Sequence, residues 1–190
     1  LDASRSHPLS RRRPPVPVPL PPPEVPPGDR FADGDHWVRE DDDTPHLWKT
    51  LGYRRTGWAP GSASIEWDAT PAYAFPTRAG HVVQGGLVTA LLDAAMGGAT
   101  WTVLDHDQAF LTADLRVEFL RASRPGLLSA SGWIVRRTRR VVFAAAELTD
   151  ASGLLLASSR CTQVVLPDDG AAGRFDPPDA AGAPPEDARG

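Results

Sequence analysis

The sequence predicts an α+β fold in which an antiparallel β-sheet wraps around one long central helix. The most apolar stretch, residues 85–104, has a helix-favouring composition and contains no proline. One pair of strand signals precedes this stretch, and four strand signals follow it. Because a helix that is apolar on nearly every face has to be buried, a curved sheet around it satisfies both patterns.

Proline divides the 190-residue chain into three parts. Of the 20 prolines, ten lie in residues 1–28 and five in residues 167–190, whereas residues 29–166 contain only five. Proline lacks the N–H that helices and sheets use, so we expect disordered N- and C-terminal tails around one domain at 29–166. The N-terminal leader should be extended polyproline II. It is either a ligand for an unknown proline-binding partner or a leader with no partner.

A short helix and a hairpin are predicted before the central helix. The helix is expected over residues 45–51, and Gly52 ends it. Residues 52–58 and 62–68 alternate in polarity and flank a turn, which predicts a hairpin. A loop of about a dozen residues is expected next, because it contains Pro71, Pro76 and Gly80.

The strands predicted after the helix span residues 109–120, 126–137, 140–149 and 153–165. Short turns join the last three, which predicts an antiparallel meander. Alternation along the first strand places Thr112 on the same face as Asp114, Arg116 and Glu118, as a surface threonine.

Charge and cysteine content exclude several classes of protein. The formal net charge is −4, which gives no electrostatic reason to expect nucleic acid as a partner. A single cysteine, Cys161, rules out an internal disulfide and a multi-thiolate metal site, and we expect it to be a packing residue. The histidines lack metal-ligand spacing, and no serine-elbow or phosphate-loop motif is present.

Neither a membrane span nor an export signal is expected. Asp93, near the centre of the apolar stretch, would cost about 2.5–3.5 kcal/mol in a bilayer. The arginines at positions 11 and 12 resemble a twin-arginine signal, but proline interrupts the apolar residues that follow. We therefore expect a cytoplasmic protein.

Two features of the central helix could carry chemistry. Asp93 is a carboxylate in an apolar helix, so it is either functional, bonded to a neighbouring loop, or exposed at a dimer rim. Gln84, Gly85 and Gly86 stand where the helix begins. Two glycines allow close approach of a ligand to free N–H groups, although a simple turn would have the same sequence.

Four arginines occupy one predicted hairpin, at positions 136, 137, 139 and 140. Such a run is either a solvated surface or a phosphate clamp, to which the bidentate guanidinium is suited.

The segment VVQGGLVTALLDAAMGGA resembles the HGG-x-x-x-x-L-x-D-x-A-x-G signature of PaaI-like hotdog-fold acyl-CoA thioesterases. The stretches TADLRVEFLRASRPG and IVRRTRRVVFAAAELTDASGLLLASS support the resemblance, which covers roughly residues 45–166. It implies the hotdog fold and hydrolysis of an acyl-CoA or acyl-carrier-protein thioester, without a metal or cofactor. It also implies a homodimer or homotetramer in which two subunits share each active site.

The resemblance assigns roles to individual positions. Asp93 matches the catalytic aspartate, Gly85 the glycine whose N–H polarises the thioester carbonyl, and Thr112 a residue that positions water. Gln84 replaces the histidine before the glycines and, with Gly86, would contact substrate. The residues matched loosely to contacts with the coenzyme A phosphates are Arg137, Arg139 and Arg140.

One departure from the family pattern leaves a second interpretation open. Many relatives carry an asparagine six residues before the position of Gln84, where this chain has Arg78. The alternative to an enzyme is therefore a non-catalytic acyl-CoA-binding module. A third interpretation is an interaction protein whose proline-rich leader recruits a partner.

Overall fold

The computed structural model describes residues 25–32 and 46–167. The helices are α1 (Asp29–Ala32), α2 (His46–Leu51) and α3 (Gly85–Trp101). The strands are β1 (Tyr53–Ala59), β2 (Ser62–Ala69), β3 (Ala74–Thr77), β4 (Gly80–Val83), β5 (Gln108–Phe119), β6 (Gly126–Arg137), β7 (Val141–Asp150) and β8 (Leu155–Pro167). One turn of 3₁₀ helix, Pro71–Tyr73, precedes β3.

Six of these strands form one antiparallel sheet in the order β1-β2-β6-β7-β8-β5, with α3 packed on one face. The predicted α+β class, the long helix and the β6-β7-β8 meander are confirmed. Strand β5 follows α3 directly, but it pairs with β8 and lies at one end of the sheet. Strands β7 and β8 therefore lie between β5 and β6 in the sheet.

At Gly132, helix α3 lies on β6 with no side chain between the two backbones. A Cβ atom placed on Gly132 would lie 2.4 Å from the carbonyl oxygen of Ala95. Leu91, Leu92 and Met96 are completely buried in the surrounding core. This close packing sets how deeply the middle of α3, including Asp93, sits against the sheet.

The structure corrects two expectations near the central helix. The predicted loop after β2 contains the two-stranded sheet of β3 and β4, in which the tight turn places Gly80 at φ +107°. The central helix ends at Trp101 rather than residue 104, because the N–H groups of Val103 and Leu104 bond to carbonyls three residues back, those of Thr100 (3.0 Å) and Trp101 (3.3 Å). The Thr102 hydroxyl accepts from the N–H of Gly61 (2.8 Å) and donates to the carbonyl of Ala99 (2.7 Å).

The folded domain also includes residues 25–28, which the sequence assigned to the leader. Val25 packs against the core, and the N–H of Gly28 donates to the carbonyl oxygen of Thr102 (3.1 Å). A Cβ atom on Gly28 would lie 2.0 Å from the carbonyl oxygen of Leu104, so glycine permits this contact. Pro167, the first residue assigned to the C-terminal tail, is the last residue of β8. The predicted cap of α2, the rest of the leader and residues 168–190 lie outside the described residues.

The helices within the described ranges are all too short or too polar to cross a membrane.

Candidate active site

The backbone and the side chain of Gln84 each make a hydrogen bond that fixes the start of α3. Its N–H donates to the carbonyl oxygen of Tyr73 (2.9 Å), and its Oε1 accepts from the N–H of Leu87 (2.9 Å). Gln84 is thus the N-cap of α3, and Gly85 and Gly86 are the first two helical residues. The N–H groups at these positions have no acceptor within a helix, so they are available to a carbonyl oxygen or an anion.

An aromatic cluster supports this end of the helix. The rings of Tyr53 and Trp67 meet edge to face with centroids 5.4 Å apart, and Tyr73 lies 5.5 Å from Trp67. The Tyr53 hydroxyl donates to the carbonyl of Leu87 (3.0 Å). Since Tyr73 accepts the bond from Gln84, the cluster connects β1, β2 and the 3₁₀ turn to the first turn of α3.

Two contacts limit the space around the glycine pair. A Cβ atom on Gly86 would lie 2.8 Å from Oε1 of Gln84, whose side chain folds back over the first turn. A Cβ atom on Gly85 would lie 3.3 Å from the ring of Phe119, near the end of β5. Phe119 is 55% exposed, so this ring borders the glycine pair from the open side of the domain.

Asp93 is half-buried in the middle of α3 and has one side-chain partner among the described residues. The hydroxyl of Thr112 donates to its Oδ1 at 3.1 Å. Burial raises the pKa of Asp93, and the bond from Thr112 partly opposes that effect. The site therefore contains a carboxylate whose affinity for a proton is higher than that of an ordinary surface aspartate.

Thr112 reaches Asp93 because β5 contains a bulge. Thr112 pairs with Gln163 but Asp114 pairs with Thr162, so Ala113 is an extra residue in the ladder. Before the bulge the even-numbered positions face α3, and after it they face away. The predicted face of Thr112 is therefore wrong, because simple alternation takes no account of an inserted residue, whereas its expected exposure is confirmed.

Gln163 completes this cluster and was not predicted from the sequence. It is completely buried on β8; its Nε2 donates to Oγ1 of Thr112 (3.4 Å), and its Oε1 accepts from the hydroxyl of Thr100 on α3. The sequence contained an indication of this role, because alternation along the strand places Gln163 on the same face as the buried Cys161 and as Val165, which packs against the core. A glutamine on the buried face of a strand has to find polar partners.

A single chain does not bring the glycine pair to the carboxylate. Gly85 and Asp93 are eight residues apart on α3, which corresponds to about 12 Å along the helix axis. Asp93 forms one cluster with Thr112 and Gln163 beside the middle of α3. The N–H groups of Gly85 and Gly86 lie at the N-terminal end of α3, away from this cluster.

The arginine hairpin lies beyond the C-terminal end of α3. Arg137 donates to Asp105 (3.4 Å) and to Oε1 of Gln108 (3.0 Å), whereas Arg139 and Arg140 are exposed. Gln108 is four residues before Thr112 on β5, a distance of about 13 Å along the strand. A surface cleft of about 600 Å³ is lined by Val25, Pro26, Asp105, Gln108, Val135, Arg136, Arg137, Thr138 and Arg139.

Cys161 is buried beside this site, between β5 and β7. Burial is the main reason that the pKa of its thiol is raised to about 12, with the charge of Asp93 adding to the effect. The thiol is therefore neutral at physiological pH, which disfavours a nucleophilic role. Within residues 25–32 and 46–167, no group of three or more His, Cys, Asp or Glu side chains is arranged to hold a metal ion.

Comparisons with known proteins agree with this architecture. Residues 80–157 match the model of the thioesterase superfamily. A candidate esterase of Saccharolobus solfataricus is 34% identical over 80 residues, a match that covers 42% of this chain and 56% of that protein.

Solved structures extend the similarity over more of the domain. A candidate thioesterase of Ralstonia eutropha, described as related to phenylacetic acid degradation, is 28% identical with a TM-score of 0.62, covering 70% of this chain and 98% of that one. A thioesterase of Haemophilus influenzae superposes with a TM-score of 0.59 at 18% identity, covering 64% and 82%. The described domain therefore has the hotdog fold, and its residues 80–157 are similar in sequence to the thioesterase superfamily.

Proposed function

We propose that this chain is a thioesterase that hydrolyses an acyl-CoA or acyl-carrier-protein thioester to a free acid and a thiol. The observation that carries the proposal is the half-buried carboxylate of Asp93 on the central helix, held by the hydroxyl of Thr112. A base with a raised pKa accepts a proton from water more readily than a surface aspartate does. The resemblance in sequence and the superfamily match support the same assignment.

In the proposed mechanism Asp93 removes a proton from a water molecule while the water oxygen attacks the carbonyl carbon of the thioester. The carbonyl oxygen becomes negative and accepts a hydrogen bond from the N–H of Gly85. The carbon–sulfur bond then breaks, and the thiolate takes the proton held by Asp93. Thr112 orients the water, because one lone pair of its hydroxyl is free to accept a hydrogen bond from it.

The mechanism requires two copies of the chain. Because Gly85 and Asp93 lie about 12 Å apart along α3, the donor and the base at one thioester must come from different copies. Strand β5 is an end strand of the described sheet, and large apolar side chains along and after it are exposed: Leu111 (58%), Phe119 (55%) and Leu120 (50%). A second copy pairing along this edge would cover them, which supports a homodimer or a homotetramer built from such dimers.

The arginine hairpin is the proposed contact for the phosphates of coenzyme A. Arg139 and Arg140 are exposed, and Arg139 lines the cleft of about 600 Å³. Arg137 is already paired with Asp105, so its contribution would be shared with that carboxylate. Gln84 and Gly86 are the proposed contacts at the thioester end of the substrate.

A non-catalytic acyl-CoA-binding module is the alternative. Arg78 stands where many relatives have asparagine, and the Oε1 of Gln84 is engaged in capping α3. Such a module would bind acyl-CoA without turning it over.

The proposal is tested by measuring thiol release from a panel of acyl-CoAs and one acyl-carrier protein. We expect turnover by the wild-type chain and a loss of about 10²–10⁴-fold in Asp93→Asn. Asp68→Asn is the matched control, since Asp68 is an exposed carboxylate on β2, and it should retain full activity. Wild-type turnover that Asp93→Asn keeps would contradict the base, and binding without turnover on any substrate would support the module.

A further inference from the structure

We propose that Gln163 is a positioning residue that sets the direction of the Thr112 hydroxyl, so that this hydroxyl donates to Asp93 and keeps one lone pair for the attacking water. The inference rests on the proposed role of Asp93. It adds a residue from β8, far from the helix signature in sequence, to the candidate active site.

Gln163 is built into the domain as a link between α3 and β5. It is completely buried, and both ends of its side-chain amide are occupied, Oε1 by the hydroxyl of Thr100 and Nε2 by the oxygen of Thr112. Thr100 is also completely buried. The Thr100 hydroxyl can donate to Oε1 or accept from Nε2, so the contact with Thr112 decides which way the buried amide is turned.

The direction of the bonds follows from the number of donors. An ionised Asp93 can only accept, so the single proton of Thr112 has to point to it. The Thr112 oxygen can then only accept from Gln163, which places Nε2 toward Thr112 and Oε1 toward Thr100. In the opposite orientation Oε1 would compete with Asp93 for the Thr112 proton. Gln163 thus favours the ionised, water-activating form of Asp93.

The remaining titratable neighbour does not disturb this arrangement. Among the described residues, the Cys161 thiol on β8 interacts with the charges of Asp93 and Asp114. Its pKa, raised to about 12, keeps it neutral over the range in which Asp93 titrates. Asp114 lies on the opposite face of β5, beyond the bulge.

The variant Gln163→Met keeps the length of the side chain and removes both polar ends. We expect kcat to fall about 10-fold with little change in KM, and the acidic limb of the pH profile to move to higher pH, since ionised Asp93 loses support. Thr112→Val should act in the same direction, whereas Thr112→Ser keeps the hydroxyl and should retain most of the activity. Thr162→Val, which removes a hydroxyl from the other face of β8, is the control and should match the wild type.

A double-mutant cycle separates positioning from a general structural role. If Gln163 acts only through Thr112, adding Gln163→Met to Thr112→Val should lower kcat little further. Additive losses, or a Gln163→Met enzyme with the wild-type pH profile, would overturn the inference. If Asp93→Asn itself retained activity, the proposed function would fail instead, and the two failures are thereby distinguished.

A second measurement does not depend on turnover. We expect the carboxyl carbon of Asp93, followed by NMR, to titrate at higher pH in Gln163→Met than in the wild type. Where the single variant unfolds because the Thr100 hydroxyl is left unpaired, the combined Thr100→Val and Gln163→Met variant removes that buried donor as well. An unchanged titration of Asp93 in the folded variant would contradict the proposal.

Discussion

At the scale of single residues, Asp93 is held in surroundings that oppose its charge. It is half-buried in an apolar helix, and the hydroxyl of Thr112 is the one side-chain donor found for it within the described residues. Because the pKa of this carboxyl group is higher in the folded state than in the unfolded state, its ionisation lowers the free energy of unfolding. Such a trade between stability and activity is frequent at catalytic positions.

We therefore predict that Asp93→Asn increases the free energy of unfolding at neutral pH. The pKa of Asp93 is raised on folding, so the stability contributed by its protonation is present at low pH and is lost as the pH rises through the folded-state pKa. Asparagine resembles the protonated form, and the gain should vanish below about pH 4, near the ordinary aspartate pKa.

Urea unfolding of both proteins across this pH range measures the difference. Asp68→Asn, at an exposed position, should show no comparable gain. An Asp93→Asn protein that is less stable than the wild type at neutral pH would show that the charge is better accommodated than its burial indicates.

At the scale of the elements, contact between α3 and the sheet depends on small residues. The carbonyl of Ala95 would lie 2.4 Å from a Cβ atom on Gly132, and a Cβ atom on Gly98 would lie 2.9 Å from that of Ala63. Backbone atoms are less able to move aside than the end of a flexible side chain. The spacing of α3 from β6 is therefore determined by the absence of a side chain at Gly132.

We predict that Gly132→Ala lowers the free energy of unfolding by about 1–3 kcal/mol, because the helix has to move away from β6. The matched control is Gly57→Ala on β1, where the nearest atom would lie 3.8 Å from the new Cβ atom. Thermal and urea unfolding of the two variants measure the difference. Equal effects would mean that α3 adjusts without loss of packing.

At the scale of the whole molecule, the open edge of β5 and the separation of Gly85 from Asp93 both point to an assembly of two chains. The edge carries exposed apolar side chains, and the helix separates the proposed donor from the proposed base by about 12 Å. A site shared between two copies would account for both observations.

Mixing two inactive variants tests the shared site. Gly85→Pro removes the N–H at the first helical position, where proline is tolerated, and should lower kcat about 10²–10³-fold, whereas Gly85→Ala retains the N–H and adds a comparable Cβ atom. Mixed with Asp93→Asn under conditions that exchange subunits, Gly85→Pro should restore about a quarter of wild-type activity, because half of the dimers are hybrids with one intact site each.

No recovery after demonstrated subunit exchange would contradict a site made from two chains. A wild-type chain that sediments as a monomer while hydrolysing thioesters would do the same.

Local patterns were sufficient to predict the main elements of this protein. The apolar composition of α3 and the alternation and short turns of β6, β7 and β8 depend on neighbours in the chain, and the sequence predicted these elements close to their observed bounds. The helix signature also pointed to Gly85 and Asp93. These features can be read locally because composition, strand alternation and a short motif each involve residues that are close together in the chain.

Contacts between distant segments were decided only by the tertiary structure. The bulge at Ala113 became visible through the pairing of β5 with β8, and it reversed the face on which Thr112 lies. The bond between Gln163 and Thr112 joins residues 51 positions apart. Gly28 belongs to the folded domain because its N–H donates to the carbonyl oxygen of Thr102 and it packs closely against the backbone of Leu104. In each case the energy comes from packing and hydrogen bonding across the fold, and the sequence pattern does not show which distant residue is the partner.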